Sequence, residues 1–233
     1  MPATRDSYDI FLNKFGITKQ EFYDFGLKNT IFMPDDLIKE YWENLKHRVL
    51  TNQRVVIRGY GRDAKGTPIY IQFHEYVFNN TSIVKDGSNN SAPQSIVKKM
   101  TELERKKDLL NYQVSHIFGM TRYALLFEAP WNIALVPKII DPLTGHESNG
   151  NWAKEYQKQY FDIVFQKFSK YIEEYNQIMQ DYDCQSKIET FIDEEVPKIT
   201  INELYKTYSS QKRKKDLIKS LQEDFKFIKR EMF

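Results

Sequence analysis

Residues 151 to 180 constrain this chain most. Trp152, Tyr156, Tyr160, Ile163, Phe168, Ile172 and Tyr175 recur there at helical spacing, with some drift. The pattern predicts one long amphipathic helix with an aromatic stripe that must be covered along its length. Such a stripe is a core or helix-packing surface far more readily than a cofactor box. In a two-fold assembly it is the natural interface. The chain is 41% hydrophobic and 15% aromatic over 233 residues. That is enough to bury a sizeable core, and it excludes a disordered chain.

Other elements follow from local signals. Residues 6 to 27 predict two short helices broken at Gly16 and Gly26, with a capping box at Thr18 and Glu21. The next helix starts near Pro34 with Asp35 and Asp36 in its first turn. It presents Leu37, Tyr41, Leu45 and Val49 on one face and His47 away from it. The period then changes. Strands at 53 to 60 and 68 to 78 around "DAKG" predict a β-hairpin made basic by Arg54, Arg58, Arg62 and Lys65. His74 alternates with Gln72 and Tyr76 on one face of that second strand and reads as a satisfied sheet histidine. The Asn-, Ser- and Gly-rich stretch 79 to 95 reads as a linker and the best boundary between regions 1–90 and 91–233, if they are not one continuous domain. A basic helix follows, with Ile96, Met100, Leu103 and Leu110 inward. Lys98, Lys99, Arg105, Lys106 and Lys107 lie outside. Lys212 to Lys215 form a second basic run, a solvated face of a C-terminal helix.

Charge and cysteine content exclude several classes. Lys and Arg number 34 against 32 Asp and Glu, a net charge of +2, so overall charge does not argue for a nucleic-acid partner. Cys184 is alone, which rules out an internal disulfide and a Cys-rich zinc site. There is no signal-peptide pattern, and no apolar run reaches the roughly 18 to 20 residues of a membrane span. The expectation is a soluble, cytoplasmic protein with no membrane partner.

The centre of the chain carries the chemistry. Residues 112 to 118 and 131 to 137 read as two apolar strands. A loop opened by Gly119 joins them, and Pro137 stops the second. An irregular connection then leads to the long helix. His116 ends the first strand, Asn132 opens the second, and His146 precedes the helix. A neutral imidazole can take a proton from water at neutral pH. A divalent cation can stabilise the charge that develops on a phosphodiester.

"SHI" at 115 to 117, "NIALVP" at 132 to 137 and "GHE" at 145 to 147 together resemble the HNH or ββα-metal nucleases. The resemblance implies His116 as general base, Asn132 as the residue that fixes the loop and so orients that base, and His146 as a metal ligand. Asp141, nine positions after Asn132, falls nearer the family's usual slot, so Asp141 and His146 both stand as metal candidates. Ser115 occupies a position where family members often carry another ligand, and the zinc-binding cysteine pairs of many members are missing.

The expected fold is therefore α+β, with a central strand-strand-helix (ββα-metal-like) unit, a basic β-hairpin and additional packed helices. The expected activity is a metal-dependent endonuclease, a restriction enzyme or anti-phage nuclease, acting on nucleic acid, with DNA placed ahead of RNA and the choice between them left open. Its cation would be Mg²⁺, with Mn²⁺ or another transition metal as alternatives. Arg54, Arg58, Arg62, Lys65, Lys98, Lys99 and Arg122 would contact the nucleic acid, and a homodimer would cut both strands. Two alternatives stay open: a non-catalytic nucleic-acid-binding or regulatory protein, and a helical interaction protein with no nucleic-acid role.

Overall fold

The computed structural model describes residues 5–104, 106–145, 150–196 and 211–232. The long helix is present as α8 (Asn151–Asp181), and its buried residues include Trp152, Tyr156, Tyr160, Phe168, Ile172 and Tyr175. Tyr8, Phe22 and Tyr23 of the N-terminal helices cover Trp152 and Tyr156. Further along lies an antiparallel sheet of three strands in the order β1 (Ile31–Phe32), β5 (Ile133–Pro137), β4 (Tyr112–His116). Phe32 packs on Tyr160 and Phe168 at 6.2 and 5.7 Å between ring centres, and Trp131 on Tyr175 at 6.2 Å. The stripe is thus spent inside the chain, because the N-terminal helices, Phe32 of β1 and Trp131 ahead of β5 supply the apolar layer it needs. This corrects its assignment as a dimer interface. Ile163 alone of the expected stripe is notably exposed, at 37%.

The sheet is short but deeply set. β5 is its middle strand and all five of its residues are buried. Register pairs Ile31 with Leu135 on one side, and His116 with Ile133 on the other. The N-terminal strand thereby completes a sheet whose other members lie about 80 and 100 residues later. One apolar cluster runs from Leu12 to Ile228, so no separate core marks a boundary at residue 90.

The helices before the sheet follow their caps. α1 (Ser7–Phe15) ends at Gly16, whose φ of 65° is the left-handed conformation that stops a helix. α2 (Lys19–Asn29) starts on the Thr18–Glu21 capping box. It does not break at Gly26. A Cβ there would lie 2.7 Å from the Tyr156 hydroxyl and 2.9 Å from Ile140, so this glycine allows α2 to approach α8 closely. α3 (Asp35–Leu50) buries Ile38, Trp42, Leu45 and Val49, with Leu37 and Tyr41 half-buried at the edge of that face.

The expected basic hairpin is not formed. β2 (Val55–Ile57) pairs in parallel with β3 (Ile83–Lys85), and the segment between them is helix α4 (Thr67–Phe78). Apolar residues fill so many positions of "PIYIQFHEYVF" that it satisfies alternation and helical spacing at once. Burial chooses the helix: Ile69 and Tyr70, Phe73 and His74, Val77 and Phe78 come in pairs four apart. Pro68 sits in the first turn, where its missing N–H costs nothing.

The stretch 79 to 95 is also no linker. It contains β3, and fully buried Asn80 donates to the carbonyls of Arg48, Val49 and Gln53. α5 (Ser91–Thr101) ends earlier than expected, at Glu102 with φ 58°, and leaves Leu110 69% exposed. Three short helices, α6 (Ala124–Phe127), α7 (Asp141–Thr144) and α9 (Lys187–Thr190), complete the connections. The last continues into a π-helical turn. α10 (Gln211–Asp224) buries Leu217 and Leu221 and exposes Lys215. The side chains of Lys212, Arg213 and Lys214 lie outside the described residues.

His74 illustrates how α4 is used. It is fully buried, its Nδ1–H donates to the Tyr70 carbonyl at 2.6 Å, and its Nε2 accepts from the Ala124 N–H at 3.0 Å. Burial pushes its pKa down from 6.5 to about 4. The folded state then binds fewer protons than the unfolded one between those values. The contribution to stability is full above pH 6.5 and is lost as pH falls toward 4. Urea unfolding is expected to show about 3 kcal/mol less stability at pH 4 than at pH 7 from this residue. A His74→Gln variant, weaker at pH 7, should lose that part of the pH slope.

Candidate active site

The candidate site is a backbone loop held on the hairpin. β4 ends at His116, and its Nε2 lies 3.0 Å from the Phe127 carbonyl oxygen. A carbonyl only accepts, so Nε2 carries the proton and the basic lone pair is on Nδ1. The ring also stacks on Phe127, at 5.3 Å and 13° between planes. Burial pushes the His116 pKa down to about 4. The Phe127 carbonyl acts in the opposite direction, and the charge of Arg58 adds to the lowering. The imidazole is therefore neutral at physiological pH.

Asn132 closes the loop that supplies that carbonyl. It is fully buried, and its Oδ1 accepts from the Phe118 N–H at 2.8 Å. Its Nδ2 donates to Leu126 O at 2.9 Å and to Gly119 O at 3.3 Å. Its own carbonyl accepts from the Ile117 N–H at 2.8 Å. One side chain thus binds both ends of the loop, next to His116 at one end and next to Phe127 at the other. Asn132→Ala leaves these groups buried without partners. It is expected to cost about 2–4 kcal/mol in denaturant unfolding. If it unfolded at the wild-type midpoint, the loop would not depend on this clip.

The loop is also held from behind. The Arg58 N–H donates to the Thr121 carbonyl at 2.9 Å, which ties the end of β2 to it. Arg122 pairs with Asp224 at the end of α10, and Asp224 also accepts from the Tyr70 hydroxyl at 2.8 Å. The Arg122 guanidinium lies over the rings of Tyr60 and Tyr70, at 4.8 and 5.3 Å. Its charge is committed there, so Arg122 serves the loop's position.

The remaining expected residues fall in three groups. Arg54 and Arg58 are exposed at either end of β2, and Lys98 and Lys99 are exposed on α5. Lys98 pairs with Glu104 at 3.0 Å. These four cations come from two elements, the ends of β2 and α5, rather than from one ribbon. Lys65 is exposed in the turn before α4, and the Arg62 side chain lies outside the described residues. Asp141 is half-buried at the start of α7. It follows Pro137, which pairs with Tyr112 at the opposite end of the hairpin from His116. His146 lies outside the described residues. Among the described residues no group of three His, Cys, Asp or Glu is gathered to hold a metal.

Two clefts flank the N-terminal part of α5. The larger, about 480 Å³, is bordered by Arg48, Arg54, Lys99, Asp86 and Glu128. The smaller, about 320 Å³, is bordered by Gln94, Lys98 and Val114, which shares a face of β4 with His116. Ser91 and Ser95 border both. Arg48, Asp86 and Glu128 had no place among the expected site residues. The one signal in the sequence was a carboxylate, Glu128, inside the loop between the two strand motifs. Its carboxylate accepts from the Val56 N–H at 3.2 Å and from Arg48 at 3.3 Å. Burial raises its pKa, while Arg48 and the Val56 N–H act against the rise.

No helix of the described residues is long and apolar enough to cross a membrane. No solved structure matches the chain. A protein of Pasteurella multocida (strain Pm70), "Uncharacterized protein PM1201", is 36% identical over 192 residues, which covers 81% of this chain and 87% of that protein. The family model described as "Uncharacterised protein PM1201" matches residues 15–230. The α+β chain, with its clipped hairpin loop, belongs to the PM1201 family.

Proposed function

We propose that this protein is a metal-dependent endonuclease that hydrolyses phosphodiester bonds in DNA, with His116 as its general base. One observation carries the reading. A strand-end histidine donates its Nε2–H to a loop carbonyl, and an asparagine opening the next strand clips that same loop. This fixes the imidazole in one tautomer and leaves Nδ1 as the base. The arrangement supports the resemblance to HNH nucleases on grounds separate from the sequence motif. α8 follows the hairpin in chain order, as the resemblance implies, and Trp131 ahead of β5 packs on its Tyr175, which supports the same reading.

In the proposed reaction Nδ1 of His116 takes a proton from the attacking water. Phe127 and Asn132 hold the ring in place for that step. Arg58, Arg54, Lys98 and Lys99 draw the phosphate backbone to this end of the hairpin. A divalent cation, Mg²⁺ or else Mn²⁺ or another transition metal, would supply charge stabilisation at the phosphate. Of the two alternative protein ligands, Asp141 lies at the opposite end of the hairpin from His116 and does not fit an ion at this phosphate, which leaves His146 as the proposed ligand. The described residues do not assemble a metal-binding set, so no step is assigned to the ion. Cleavage at fixed positions would fit a restriction or anti-phage enzyme.

Supercoiled plasmid incubated with the protein and Mg²⁺ or Mn²⁺ should be nicked or linearised, and EDTA should abolish this. If neither DNA nor RNA is cut with any divalent metal, the nuclease reading fails. DNA binding that persists in EDTA and weakens steeply with salt would then identify a non-catalytic nucleic-acid-binding protein.

A further inference from the structure

We infer that the larger cleft beside the His116 loop is a binding site for a single nucleotide unit. The cleft is distinct from the proposed catalytic histidine, which does not line it. Its volume of about 480 Å³ lies within the roughly 300–1,000 Å³ of pockets that enclose small organic ligands. Inorganic phosphate alone would leave most of it unfilled.

The charges decide the sign of the ligand. Arg48, Arg54 and Lys99 border the cleft against two carboxylates. Both carboxylates are already engaged. Asp86 accepts from the N–H groups of Ser88, Ser91 and Ala92 and from the Ser91 hydroxyl. Glu128 is held by Arg48 and the Val56 N–H. Arg54 and Lys99 are exposed and form no salt bridge among the described residues, although the charge of Arg54 also acts on Glu128, so three cations face two carboxylates. They remain to receive an anion.

The other walls suit a base and sugar. Tyr41 and Ile96 offer apolar surface, and Asn44 and Ser95 offer hydrogen-bonding groups. An aromatic ring stacks with bases, and an asparagine amide can pair with a base edge. Smooth duplex backbone would lie across the mouth of such a cleft, whereas an unstacked nucleotide or a free one enters it.

The choice of a nucleotide over other organic anions rests on the nuclease reading, because Glu128 follows directly on the Phe127 that holds His116. The test separates the two. Binding of deoxynucleoside monophosphates, of short single-stranded oligonucleotides and of inorganic phosphate is measured by calorimetry in EDTA, where cleavage plays no part. Wild type and His116→Ala should bind nucleotides alike. Arg54→Glu and Lys99→Glu, both surface changes, should each weaken binding by about tenfold or more. Tighter binding of oligonucleotides than of monophosphates would place the bound unit in a strand, and the reverse would mark a free nucleotide ligand. The proposal is overturned by undetectable nucleotide binding at millimolar concentration. It is equally overturned by binding unchanged in both charge variants, or by phosphate binding as tightly as the nucleotides. Loss of plasmid cleavage with intact nucleotide binding would sink only the nuclease reading.

Discussion

His116→Ala is expected to slow plasmid cleavage by about 10²–10⁴-fold, the usual cost of removing a general base. Folding should survive. The side chain is half-buried at the end of β4, and its loss removes one hydrogen bond and one ring stack. Circular dichroism should stay close to wild type, and unfolding stability should fall by no more than about 1–3 kcal/mol, the cost of an unpaired carbonyl, so activity compared where the variant is folded reports lost chemistry. The wild-type pH profile adds a second check. With its pKa held down near 4, the histidine stays neutral well below the ordinary imidazole value. The acid limb of kcat/KM should accordingly lie near pH 4 rather than near 6.5. Wild-type rates from His116→Ala would remove this residue from the reaction.

Asp224→Ala carries the largest expected loss of stability. Its carboxylate is buried, and it pairs with Arg122 while accepting from the Tyr70 hydroxyl. Removing it leaves a guanidinium between two tyrosine rings without its counter-ion. Breaking such a pair from one side costs about 3–5 kcal/mol. A urea midpoint within experimental error of wild type would show that α10 is not latched here. The effect should also reach the site, because Arg122 stands five residues before the Phe127 carbonyl that holds His116. At temperatures where the variant is still folded, cleavage should fall while Arg54- and Lys99-dependent nucleotide binding remains.

What could be read from the chain alone follows from the range of each interaction. The stripe from Trp152 to Tyr175 gave α8, because a helical period is a local property. "YQVSH" and "IALVP" gave the two strands for the same reason. The segment 68 to 78 did not resolve, because an element apolar at nearly every position carries both periods. Its Pro68 was the local sign of a helix start. At the site, His116 and Asn132 stood out by residue type. The Phe127 carbonyl did not, since every residue has one and only the folded loop aims this one. Asp224 was invisible as a partner of Arg122, as was Arg54 as a neighbour of Lys99. Those pairings are made by tertiary packing across long sequence separations.

β5 gains one neighbour from β1, near residue 31, and its loop gains its rear support from Asp224 and Phe225. Both contacts join residues about a hundred positions apart, so the loop that aims His116 cannot be completed by local folding. During synthesis the strands of the hairpin leave the ribosome long before α10 does. Until then the loop lacks its latch and β5 waits in a partly covered sheet. Assembly of the centre therefore waits until α10 has been made. Ribosome-bound chains stalled before residue 224 should resist proteolysis at the N-terminal helices yet remain open to it around residues 119 to 131.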